Sequence, residues 1–122
     1  MNQEIASVIL KTCGDPYGKP TDVIGFGLVG RKIANVLLPM IGEKEICFFD
    51  EETKSDEVFH YLDFSNMVEK TEIMVFTVEL SKKYYKYLNK LNKNVKIFIL
   101  KDLKETILVF LELGFGGNLV LL

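Results

Sequence analysis

The stretch Asp22-Val-Ile-Gly25-Phe26-Gly27-Leu28-Val29-Gly30-Arg31 decides the reading of this chain. A brief apolar strand runs into three glycines at G-x-G-x-x-G spacing. From Leu28 to Ile41, apolar residues at Val29, Ile33, Val36 and Leu37 then recur with helical periodicity. Pro39 followed by Gly42 is the expected stop. In this order the glycines have separate tasks: Gly25 permits the tight turn, Gly27 lets a phosphate group come close to the backbone, and Gly30 lets the helix lie against the strand. An anion would rest on the free N–H groups of the turn Gly25-Phe26-Gly27-Leu28-Val29-Gly30, where the helix dipole favours negative charge and no lysine is required.

Working outward, a second apolar strand, Glu45 to Phe49, ends at Asp50, 20 residues after Gly30. A carboxylate at that interval completes the dinucleotide-binding fingerprint. Asp50 is expected to accept hydrogen bonds from ribose hydroxyls and to repel a 2′-phosphate. The expected ligand is therefore NAD or NADH, with AMP, ADP or ATP as the alternative, ahead of NADP. Glu51 takes the same role if the strand runs one residue longer.

Further strands are expected at Val58–Leu62, Glu72–Val78, Val95–Leu100 and Leu119–Leu122, and helices at Ser81–Leu91 and Leu103–Leu113, the latter closed by Gly114. Phe64–Lys70 allows only a helical turn or two. The second and third strands are joined by a polar loop, so the second crossover is short. Strand and helix alternate nearly throughout, which predicts a Rossmann-type three-layer α/β sandwich with a mostly parallel sheet in the order 3-2-1-4-5-6. Thr77 and Val78 then fall at the crevice edge where ligands of open α/β sheets bind. Upstream, Ile5, Val8 and Ile9 mark a leading helix and Cys13–Pro20 is rich in breakers. Residues 1–20 thus read as helix and linker, and 21–122 as the nucleotide-binding domain.

A chain of 122 residues has room for one such domain and not for a separate substrate domain. With 15 Lys and Arg against 17 Asp and Glu, it has no positive excess to neutralise a phosphate backbone, so nucleic acid is not an expected partner. The lysines interleaved with tyrosines from Lys82 to Tyr87 read as a solvated face. Apolar runs fall short of a membrane span and no signal-peptide pattern opens the chain, so a cytoplasmic location is expected. Cys13 and Cys47 form no motif, and Cys47 reads as a small core hydrophobe. Ser65, Thr77 and Ser81 have no neighbouring base that would make a nucleophile, and no metal or catalytic residue is expected.

The chain resembles the TrkA-N or RCK family, the regulatory nucleotide-binding domains of potassium channels and transporters. The resemblance rests on Lys19 to Arg31, on Ile46 to Asp50, and on Phe59-His-Tyr-Leu-Asp63-Phe-Ser, which is similar to that family's third-strand ending. It implies that Asp63 lies near the adenine, that the domain pairs with a second copy through its terminal strand region, and that a membrane transport subunit is its partner. Leu62 departs from the family's glycine, and Leu100 or Lys101 from its arginine. A second resemblance is to the NAD-binding domain of the 2-hydroxyacid dehydrogenases. That family needs an arginine, a carboxylate and a histidine for hydride chemistry, whereas here Arg31 sits inside the first glycine-loop helix and His60 in a strand. The expectation is accordingly a regulatory nucleotide-binding module, with a minimal oxidoreductase domain or a ligand-free scaffold as the alternatives.

Overall fold

The computed structural model describes residues 2–122, with side chains from Glu4 onward. Six parallel strands form one sheet: β1 (Thr21–Ile24), β2 (Ile46–Phe49), β3 (His60–Tyr61), β4 (Ile73–Phe76), β5 (Lys96–Ile99) and β6 (Leu119–Leu121). Their order is β3-β2-β1-β4-β5-β6, as the alternation predicts. The register shows why the central strands are apolar on both sides. Phe48, Val23, Val75 and Phe98 form one row across the sheet, and Phe49, Ile24, Phe76 and Ile99 form the next. Successive residues of a strand point to opposite faces, so a sheet covered on both sides needs apolar residues at every position.

The first row packs under α1 (Asn2–Cys13) and α2 (Leu28–Ile41), with Ile5, Ile9, Ile33, Ala34, Leu37 and Ile41 buried. The leading helix therefore covers part of the sheet, lying beside α2. Gly42, at φ 101°, turns the chain out of α2, and Pro39 is tolerated in its last turn. The second row packs under α3 (Phe64–Met67), a 3₁₀ segment Lys82–Lys90 and α4 (Lys104–Glu112).

Several boundaries differ from expectation. The third strand is two residues long rather than five, because it is an edge strand with no helix in the crossover before it. The expected amphipathic helix at Ser81–Leu91 is 3₁₀. Its apolar residues recur as Tyr85, Leu88 and Leu91, and as Tyr84 and Tyr87, a spacing of three that suits 3.0 residues per turn. Both cysteines are free. Burial, with the carboxylates of Asp22 and Glu45 close by, pushes the Cys47 thiol up to about 11, so at neutral pH it is protonated and a poor nucleophile. No helix among the described residues is long and apolar enough to cross a membrane.

Candidate functional site

The strand order reverses its direction of growth between β2, β1 and β4, and a crevice of about 380 Å³ opens there at the carboxyl ends of the strands. It is lined by Gly25 and Gly27 of the glycine loop, by Asp50 to Thr53 after β2, and by Val78 to Ser81 after β4, whereas Leu28, Val29 and Gly30 are not among its lining residues. A larger depression of about 680 Å³, between Arg31 on α2 and the Ser55–Phe59 loop, is separate from the switch point.

The three glycines differ in what surrounds them. Gly25 has φ +92°, and a Cβ there would lie 2.4 Å from Thr77 Oγ1. A Cβ on Gly30 would lie 1.8 Å from the Gly25 carbonyl oxygen, so α2 crosses the loop at backbone contact distance. Around Gly27 a Cβ would meet nothing within 4 Å. Nothing in the protein requires glycine at 27, and the space over it opens toward the N-terminus of α2, which no side chain caps. The first N–H groups of an α-helix have no partner within the helix, so this end offers donors to an anion.

Of the loop's side chains, Phe26 is fully buried. Its ring stacks on Phe48 at 3.9 Å and meets Phe59 edge-on, so its side chain belongs to the core and Phe26 is not among the crevice-lining residues. Leu28 and Val29, by contrast, are exposed on the first turn of α2.

Asp50 stands at the end of β2, with its carboxylate turned into the loop. Oδ1 accepts from Phe26 N at 2.8 Å, and Oδ2 accepts from Glu52 N at 3.0 Å and Thr53 N at 2.7 Å. Burial alone would raise its pKa, but the N–H groups of Thr53, Phe26 and Glu52, with Lys54 nearby, bring it below the usual carboxylate range. A carboxylate has about four acceptor positions. Three are used by the backbone, leaving one for a ligand hydroxyl. Asp50 is thus a tie between β2 and the glycine loop as well as a candidate ribose acceptor. Asp50→Ala is expected to lower stability by about 1–3 kcal/mol through the lost charge-assisted bonds. Chemical denaturation of parent and variant checks this; equal midpoints would show that the tie contributes nothing.

Thr77 is a second tie. Its hydroxyl lies 2.9 Å from Ile24 O and 3.1 Å from Gly25 O, and its N–H donates to Ile24 O at 2.9 Å, so it pins the loop to the end of β4 rather than facing the crevice. Asp63 caps α3, accepting from Ser65 N and Ser65 Oγ, and is not among the crevice-lining residues. Glu51 lines the crevice rim, where Oε2 accepts from Ser81 Oγ at 2.6 Å and Oε1 lies 3.3 Å from Lys83 Nζ. The hydrogen bond from Ser81, with the Lys83 charge, lowers its pKa. In the sequence Ser81 reads only as a serine without a neighbouring base and Lys83 only as part of a solvated face, and Glu79 carries no signal at all. Glu79 caps the start of α4, accepting from Thr106 Oγ1 at 2.7 Å and from Thr106 N at 3.0 Å. The rule that ligands bind at strand carboxyl ends points to this segment, since Glu79 to Lys83 follow directly on Val78. His60 is exposed on the edge strand, and among the described residues no group of His, Cys, Asp or Glu could hold a metal ion.

Comparison with solved structures agrees with this architecture. The NAD complex of a D-isomer-specific 2-hydroxyacid dehydrogenase from Lactobacillus delbrueckii ssp. bulgaricus matches with a TM-score of 0.65 at 17% identity, over 88% of this chain and 36% of that one. The apo NADPH-dependent glyoxylate/hydroxypyruvate reductase from Sinorhizobium meliloti matches at 0.59 and 16%, over 96% of this chain and 55% of that one. NAD-dependent formate dehydrogenase from Staphylococcus aureus, in complex with NAD, matches at 0.58 and 13%, over 81% and 35%. The chain spans roughly a third to a half of the length of these structures. No protein-family model and no curated protein matches it. At these identities the likeness is one of fold, and the class it defines is the Rossmann-like α/β domain.

Proposed function

We propose that this chain binds NAD or NADH, with the adenosine diphosphate part held in the crevice between the glycine loop, Asp50 and Val78, as the nucleotide-binding part of an oxidoreductase system. The observation that carries the reading is the contrast among the glycines. Gly25 and Gly30 are demanded by the protein's own packing, whereas the open space at Gly27 serves nothing inside the protein and lies where a diphosphate would meet uncapped helix N–H groups. The crevice lining carries Asp50, Glu51, Glu52 and Glu79 and no lysine or arginine. That charge disfavours ATP, with its extra phosphate, and suits a ligand presenting ribose hydroxyls.

Bound NAD would supply a hydride acceptor. This chain's own part is to hold the nucleotide, to orient it on the α2 N-terminus and to select its ribose. The residues that would act on a substrate are to be sought in a further segment or partner. The dehydrogenase-like reading is favoured over a potassium-transport regulator because the solved structures with this fold reported above are dehydrogenases and a reductase, and because Asp63, on which the regulatory resemblance leans, is occupied in capping α3. Pairing into a homodimer and attachment to a transport subunit belong to that second reading, whereas a cytoplasmic location fits either.

The test is calorimetric titration of the parent and Gly27→Val with NAD, NADH and ADP-ribose. The parent is expected to bind all three. The valine, which meets no protein atom at its Cβ, should leave the fold intact by circular dichroism and abolish binding. Undiminished binding by the folded variant would place any nucleotide site elsewhere.

A further inference from the structure

Of the four carboxylates lining the crevice, two have backbone partners that fix them: Asp50 holds the glycine loop and Glu79 holds the start of α4. Glu51 is held differently, by two side chains from the far side of the crevice, Ser81 at 2.6 Å and Lys83 at 3.3 Å. Lys83 thereby reaches the crevice rim, and Glu51 cancels its charge there. Lys54, in the loop after β2, is turned toward the Tyr61 hydroxyl at 3.2 Å. The Glu51 and Lys83 side chains are 43% and 68% exposed, so the clasp is a surface ion pair that rearranges at little cost.

We propose that Glu51 and Lys83 form a paired selector for the ribose 2′ position, Glu51 adding to the rejection of a 2′-phosphate both by its own charge and by occupying the cation that would otherwise bind it. The proposal rests on the nucleotide reading above and names the residues that set its specificity. A ribose diol donates hydrogen bonds to a carboxylate, whereas a phosphate ester is repelled by it. With the charge of Glu51 removed, Lys83 is freed as a mobile ammonium within reach of the same position, and lysine pairs with phosphate as a point charge. Asp50 stays in place throughout, its charge shared among three backbone N–H groups.

Calorimetric titration with NAD, NADP and ADP-ribose of the parent, Glu51→Gln, Lys83→Met and the double variant tests this. Glutamine at the exposed position 51 keeps an oxygen for Ser81. In Glu51→Gln the ratio of NADP to NAD affinity is expected to rise by about tenfold or more, the scale of one charge-assisted contact. In the double variant it returns toward the parent value, and in Lys83→Met it falls below it. NAD binding by the parent with a ratio unmoved by Glu51→Gln, or a rise that persists without Lys83, overturns the selector and leaves the nucleotide reading standing. A parent that binds none of the three probes overturns both.

Discussion

Gly30→Ala is expected to cost the protein about 2–4 kcal/mol of stability, seen as a fall in Tm of about 10 °C. Elsewhere in a helix this exchange is favourable by up to about 1 kcal/mol, since alanine has the better helix propensity. Here the new methyl would lie 1.8 Å from the Gly25 carbonyl oxygen and 2.8 Å from its carbonyl carbon. Neither atom has freedom to yield. Gly25 N donates to Phe49 O at 2.8 Å, Gly25 O lies 3.1 Å from the Thr77 hydroxyl, and the next peptide N–H is tied to Asp50. The first turn of α2 must lift from the strand, uncovering apolar surface between Ile33 and the sheet. Gly27→Ala, three residues earlier with φ −81° and open space around it, is the control and should leave Tm within about 2 °C of the parent. Thermal denaturation of the two variants beside the parent decides the point; equal melting of Gly30→Ala and parent would mean that helix and loop are not in the contact described.

The second large effect concerns Asp22. It is 4% exposed and lies in the sheet row between Cys47 and Met74, on the face covered by α3 and α4. Burial pushes its carboxyl up to about 7 from an ordinary 3.8, with the neighbouring Thr71 side chain as the opposing influence. The folded state therefore holds this proton more tightly than the unfolded chain. Below the unfolded pKa both states are protonated and Asp22 carries no penalty. As pH rises from about 4 to about 7 the unfolded chain ionises first and stability falls, and above that the loss is constant, on the order of 4 kcal/mol. Asp50, Glu51, Asp56 and Glu79 have lowered values and act with the opposite sign, losing their contribution as pH falls. The difference between parent and Asp22→Asn isolates the buried group. Asparagine removes the ionisation, so the variant should gain on the parent steadily from about pH 4 to about pH 7 and hold that gain at higher pH. Urea midpoints across this range measure it, and parallel curves would show that Asp22 does not bury its charge on folding.

Much of the molecule was legible in local pattern. The glycine spacing, the helical period from Leu28 to Ile41, the acid 20 residues after Gly30 and the alternation of strand with helix are all short-range features, and each corresponds to what the backbone does there. Side-chain roles at the site were less legible. Phe26 shared the loop pattern with Leu28 and Val29, yet its ring completes the core against Phe48, because one position of a tight turn points back under α2.

What the sequence by itself determined was the fold class, the strand order and the place of the crevice, since these follow from periodicity and from the few conformations that glycine alone can adopt. Tertiary structure decided which groups face that crevice. Asp50 meets Phe26 across 24 residues, Glu51 meets Ser81 across 30, and Glu79 meets Thr106 across 27. It also decided that Asp22 is enclosed between β2 and β4. Each of these pairings is made by a parallel crossover that returns the chain to the same end of the sheet. Such contacts have no signature in either partner's own neighbourhood, because the lone pairs of a carboxylate are claimed by whichever donors the fold brings to them.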